Sequence, residues 1–172
     1  GDGADELLAG YDPFMVLRRL DLFAHITPHS MKKMFYKLGN CIPVSNKKLS
    51  FDFKLKRALK GILYEPELWN SVWLGALGPD EFAHLFHHPL PMEEIYAEAF
   101  EVWEECNSDD IVDKTLHFFT KLYLSDDILV KIDRASMLNS LEVPSPFLDI
   151  DFVNFIRRIP TRYKLKGSLT KY

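Results

Sequence analysis

The chain has 172 residues, of which 47% are hydrophobic, 13% aromatic and 27% charged, with a net charge of −4 and a mean hydropathy of −0.11. That is apolar material for the core of one large domain or two small ones, and eight glycines with ten prolines exclude collagen-like, low-complexity and wholly disordered chains. No apolar run approaches the ~18–20 residues that cross a bilayer, so no membrane partner is expected, and the acidic balance argues against nucleic acid.

The first residues, with Asp2, Asp5 and Glu6, are unlike a signal peptide. Cys41 and Cys106 are too far apart for a zinc motif or a disulfide framework, which makes a reducing, cytoplasmic setting the expectation. The chain opens at Gly1 rather than at a methionine and is expected to be a fragment. Charge is uneven: Lys32 to Lys60 holds nine Lys/Arg against Asp52 alone, and Glu93 to Asp113 holds nine acids without Lys or Arg. Two readings stand, solvated helix faces or segments that dock on each other or on a partner domain.

Helical periodicity dominates the chain order. After Asp12-Pro13, a helix carries Phe14, Leu17, Leu20, Leu22 and Phe23 and closes at Pro28; a second runs from Pro28 to Leu38 and stops at Gly39. Asn40 to Ser50 reads as a loop, followed by the stripe Leu55, Ala58, Leu59, Ile62 and Leu63, with Lys54, Lys56, Arg57 and Lys60 largely off it. Glu67 to Leu77 is short and aromatic, Asp80 caps a brief helix through Phe86, and Glu93 to Cys106 is acidic and amphipathic. Ser108 or Asp109 caps the next helix, Ser125 opens another from Asp126 through Leu138, and the last ends at Pro160. No alternating strand pattern is visible, so the fragment reads as all-α with about nine helices.

Four places carry candidate chemistry. In Gly1-Asp2-Gly3-Ala4-Asp5-Glu6, glycines let the backbone approach a ligand and Asp5 is a hard oxygen donor for Mg²⁺ beside phosphates; the alternative is acids favouring a helix's positive end. In Asp126 to Met137, charges of both signs alternate with Ile, Leu and Val, and Asp127 and Lys131 stand at i, i+4; the alternative is an internal salt-bridge network. Glu142 to Asp149 is a proline-stiffened turn into the last helix, with Asp149 suited to cap it. His84 and His88 have metal-ligand spacing but lack the intervening Glu of a zincin and an evident third ligand.

The first three of these segments, in this order, resemble the synthetase domain of glutamine-dependent asparagine synthetases. The residues concerned are Gly1 to Tyr11, Asp126 to Met137 and Ser140 to Asp149, with Leu165-Lys166-Gly167 and Thr170-Lys171-Tyr172 similar to the segment that follows. The resemblance spans residues 1–172. It implies the helical part of an α/β ATP-pyrophosphatase domain (adenine nucleotide alpha hydrolase-like). A sheet with a Ser-Gly-Gly-x-Asp-Ser loop and an amino-terminal glutaminase domain are expected elsewhere in the same polypeptide, and the fragment is expected to be inactive alone.

The activity so implied is ATP-dependent: the aspartate side-chain carboxylate attacks the α-phosphorus of ATP, giving β-aspartyl-AMP and pyrophosphate, and ammonia from glutamine displaces AMP to give asparagine. ATP and Mg²⁺ are the implied cofactors. Asp5 would ligate the Mg²⁺, and Asp2 would face the acyl-adenylate and take a proton from ammonium. Gly1, Gly3 and Glu6 would shape the nucleotide loop, and Lys131 with Asp127 would form a wall holding anionic groups. Asp133 and Arg134 would be nucleotide contacts or internal ion-pair partners. Pro144 stands where the family has an arginine, and Ala9 where it prefers glycine. The loss of that fork-shaped cation leaves two rivals open, an acyl-adenylating amidotransferase with another substrate and a non-catalytic helical interaction module. Faces over Phe14–Phe23 and Ile128–Met137 are expected to lie exposed or to self-associate, allowing a homodimer.

Overall fold

The computed structural model of the chain describes residues 2–43, 50–82, 85–88, 90–167 and 169–172. Its helices fall into two units, Gly1–Arg18 with Val102–Tyr172, and Arg19–Glu101.

The first unit opens with the short helix α1 (Ala4–Leu8), a 3₁₀ turn over Asp12–Met15 that starts on Pro13, and the first residues of α2 (Leu17–Ile26). Phe14 therefore belongs to the turn and not to the helix, where it buries itself against Phe119 at 5.6 Å between ring centroids. Of the faces expected to lie exposed or to self-associate, Phe14 and Leu17 are core residues instead, whereas Leu22 and Met137 are exposed.

The unit's long rod comprises α9 (Ile111–Phe118), a π-helical run over Phe119–Leu129 and α10 (Val130–Met137). Its cap is Asp110, whose side chain accepts from the Val112 N–H at 2.9 Å; Ser108 supports it by accepting from the Asp110 N–H at 3.2 Å. Asp110 also pairs with Arg18. Ser125 does not open a new helix: its hydroxyl donates to the Lys121 carbonyl four residues back, inside the π-helical run. Val112, Leu116, Phe118, Phe119 and Leu124 of the rod are buried, as are Leu7, Ala9, Phe14 and Leu17, and together they form the core of this unit.

Beyond the rod, a 3₁₀ turn over Pro146–Leu148 leads to α11 (Ile150–Arg157), capped as expected by Asp149, which accepts from the Asp151 and Phe152 N–H groups. A 3₁₀ turn over Thr161–Tyr163 is tied to the rod through the Thr161 hydroxyl and the Asp113 carboxylate. The chain then forms a hairpin, β1 (Leu165–Lys166) and β2 (Leu169–Thr170), paired Leu165 to Thr170 and Lys166 to Leu169. This is the one departure from an all-helical reading among the described residues, and strands of two residues are too short to show alternation.

The second unit takes in most of α2 and the helices α3 (His29–Asn40), α4 (Phe51–Gly61), α5 (Pro66–Leu74), α6 (Pro79–Phe82), α7 (Met92–Ile95) and the start of α8 (Ala97–Glu105). Gly39 does not stop α3. It is buried where α3 crosses α4, and a Cβ there would stand 2.5 Å from the Leu59 side chain. The acidic helix expected from Glu93 to Cys106 is two pieces, broken at Tyr96, whose ring packs on Phe82. Asp80 lies inside α6, where its carboxylate accepts from the Tyr64 hydroxyl at 2.8 Å. Ile62, Leu68, Trp69 and Val72 are core residues; Asn70 is 1% exposed, and its amide has no hydrogen-bond partner among the described residues. Both cysteines are free thiols, and no helix of the described residues is long and apolar enough to cross a membrane.

Candidate functional site

The site is built on α1. Gly3 precedes the helix with φ 89°, a left-handed conformation that costs an L-residue with a side chain ~1–2 kcal/mol. It is also a contact point. A Cβ on Gly3 would lie 2.5 Å from Leu148 Cδ2 and 3.8 Å from Leu124 Cδ2. Leu148 belongs to the proline-stiffened turn, and Leu124 lies in the π-helical run, two residues before the mixed-charge segment. The acidic opening, the late helix and the turn before α11 thus meet around one glycine.

Glu6, in the first turn of α1, is 2% exposed. Its carboxylate accepts a hydrogen bond from the Tyr11 hydroxyl, and burial together with that carboxylate raises the Tyr11 pKa above its usual range. The Tyr11 ring packs on Phe119 and Tyr123, with centroids 5.3 and 6.1 Å away. Burial also raises the Tyr123 pKa, helped by the negative charges of Asp127 and Glu6.

Asp5 is oriented differently. Its Oδ1 pairs with Lys171 Nζ at 2.8 Å, and the pair is partly exposed. Gly10 makes room for it, since a Cβ there would fall 1.8 Å from Asp5 Oδ1 and 2.4 Å from Lys171 Cε. Ala9 is fully buried and holds φ 54°.

The predicted site residues fare unequally. Gly3, Asp5 and Glu6 stand together at the start of α1, with Asp5 paired to Lys171 and Glu6 to Tyr11, while Asp127 is exposed in the π-helical run. Asp2 is half-buried, and Gly1 lies outside the described residues. Lys131, Asp133 and Arg134 are exposed on α10 and form no ion pair among the described residues, so the internal salt-bridge network is not present there. The expected i, i+4 pair of Asp127 and Lys131 is not formed, because it straddles the junction where π-helical turns give way to α-helical ones. His84 is outside the described residues, and His87 and His88 are exposed. Gly10, Tyr11, Tyr123 and Lys171 are the residues that sequence reasoning left without roles. A glycine before Tyr11 and a lysine in the quoted tail were the available signals, and neither indicates a partner by itself.

A magnesium ion at a phosphate site takes one or two carboxylates, the rest of its ligands being water and phosphate oxygens. Asp5 fits that modest demand: it is partly exposed, and its Oδ2 has no protein partner among the described residues. An all-protein cage is not built, since no group of three His, Cys, Asp or Glu converges among the described residues.

The asparagine synthase family model matches residues 1–172. The chain belongs to the asparagine synthase family. It is 27% identical over its whole length to asparagine synthetase [glutamine-hydrolyzing] 1 of Bacillus subtilis, covering 26% of that protein. A protein of Mycobacterium tuberculosis provisionally named glutamine-hydrolysing asparagine synthetase is 28% identical over the whole chain, covering 25% of its own length. A provisionally named second asparagine synthetase of Methanocaldococcus jannaschii is 28% identical over 80% of the chain. The chain spans about a quarter of the length of these curated relatives. No solved structure matches it significantly. Pro144 is exposed.

Proposed function

We propose that the protein carrying this chain activates the side-chain carboxylate of aspartate with ATP and forms asparagine with ammonia released from glutamine. The observation that carries the proposal is the meeting of three separated segments at Gly3, with the Asp5 carboxylate presented beside them. Bringing a carboxylate onto a polyphosphate sets anion against anion, and Mg²⁺ on Asp5 would screen the phosphate charge. This chain's part is to hold Asp5 still. Lys171 fixes one oxygen and Gly10 leaves the space, while Glu6, buried and hydrogen-bonded to Tyr11, anchors the loop from beneath. Asp2 supplies a half-buried carboxylate able to take a proton from incoming ammonium. Lys131 and Arg134, exposed on α10, supply cations for a polyanionic ligand, and Asp127 and Asp133 stand beside them.

The exposed Pro144 favours a second reading within the same chemistry, an acyl-adenylating amidotransferase whose acid is not aspartate. Exchange of labelled pyrophosphate into ATP, measured on the full polypeptide over a panel of carboxylic acids, separates the two. Aspartate-dependent exchange that falls about 100-fold or more in Asp5→Asn supports the proposal. Exchange with another acid alone supports the second reading. Wild-type exchange in Asp5→Asn would remove Asp5 from the chemistry.

A further inference from the structure

The second unit holds an open cavity of about 380 Å³, between the end of α3, one face of α4 and the end of α5. Phe53, Lys56, Arg57 and Lys60 line it at i, i+3, i+4 and i+7, so four successive turn positions of α4 present one ring and three cations to the same space. Tyr36 and Asn40 of α3 complete the wall with a phenol and an amide.

The cations are not all balanced by acids. Lys60 Nζ pairs with Glu81 Oε2 at 2.8 Å, and this lysine together with the Gly78 N–H holds the Glu81 pKa below the usual carboxylate range. Lys56 Nζ donates to the Ile42 carbonyl at 2.8 Å, a neutral partner that leaves its charge uncompensated. Arg57 lies over the Phe53 ring, 5.4 Å from its centroid, and has no carboxylate partner among the described residues. Its backbone is fixed as well, since the Trp73 indole N–H donates to the Arg57 carbonyl at 3.0 Å. Lys32, Lys33 and Lys37 on α3 add to the positive field, and Asp52 is the one acid on α3 and α4. A concave wall of one sign concentrates anions. A guanidinium already placed over a ring keeps its fork available to a phosphate.

We propose that this groove binds a small phosphomonoester, with the dianionic group on Arg57 and Lys56 and the carrier against the rings of Phe53 and Tyr36. The proposal stands on residues of the second unit alone and is independent of the reading of the Asp5 site. Phenyl phosphate titrated into the chain at low salt, followed by tryptophan fluorescence with Trp73 as the neighbouring reporter, tests it; inorganic phosphate and phenol are the single-group probes. Saturable binding of phenyl phosphate that exceeds that of inorganic phosphate, weakens with added salt and falls at least about tenfold in Arg57→Gln supports it. Circular dichroism checks the fold of that variant, and Lys56→Gln, expected to weaken binding in the same direction, serves if it is not native. Absence of saturable binding up to about 10 mM overturns the proposal. So does binding that is unchanged in both variants, or binding lost in Asp5→Asn and kept in Arg57→Gln.

Discussion

Replacing Gly3 by alanine tests the convergence of the three segments directly. Two separate costs arise at one atom. The backbone at φ 89° disfavours a side chain by ~1–2 kcal/mol, and the new Cβ, 2.5 Å from Leu148 Cδ2, forces a half-buried leucine to move, at ~1–3 kcal/mol for overpacking. Gly3→Ala is therefore expected to lose ~2–5 kcal/mol, a large share of the ~5–15 kcal/mol that holds a typical domain folded. Urea unfolding followed by circular dichroism reads the loss as a lower midpoint. Truncating the obstacle separates the two parts: in Gly3→Ala/Leu148→Ala the steric cost disappears and the backbone cost stays. The double-mutant cycle should then show a coupling of ~1–3 kcal/mol in the recovering direction. A coupling within ~0.5 kcal/mol of zero would refute the contact between α1 and the turn before α11.

Other substitutions probe neighbouring parts of the framework. Tyr11→Phe strips the hydroxyl donor from the nearly fully buried Glu6 and should cost ~1–3 kcal/mol in the same urea assay. The raised Tyr11 pKa carries a sign: the fold retains a proton that the unfolded chain releases near its ordinary value of 10.0, so this stabilisation is complete below that pH and is lost as pH rises above it. Tyr64, Tyr96 and Tyr123 are raised too, so stability should decline from about pH 10 upward, less steeply in Tyr11→Phe than in the wild type. Asp110→Ala removes the cap of α9 and the partner of Arg18 together, for an expected loss of ~1–2 kcal/mol in urea midpoint measurements. Asn70→Leu replaces a buried, unpartnered amide with an apolar group and should raise the thermal midpoint, by an amount equivalent to ~1 kcal/mol.

Much of the architecture was legible because local signals and packing agreed. The cap at Asp149, the apolar stripe of α4 and the helix following Pro28 all formed where their residues placed them. Misreadings arose where a residue has two uses. Gly39 has the identity of a helix stop, but its missing side chain serves the approach of Leu59. Ser125 has the identity of an N-cap, but its hydroxyl turns back to a carbonyl of the preceding turn. Within the site, the acids of the opening segment were evident from residue type and spacing, whereas the partners that orient them were not. Lys171 stands 166 positions from Asp5, and no local periodicity links the two, so their ion pair is visible only in three dimensions.

The π-helical run over Phe119–Leu129 gives chain length in that stretch a directional meaning. An ordinary α-helix turns about 100° per residue, so losing one residue there, with the winding of the run kept, would swing everything downstream around the rod's axis by roughly that angle. Lys131, Asp133 and Arg134 would then look toward a different quarter of their surroundings, with no change in their own identities. A single-residue deletion is thus a sharper perturbation of this charged array than most substitutions within it.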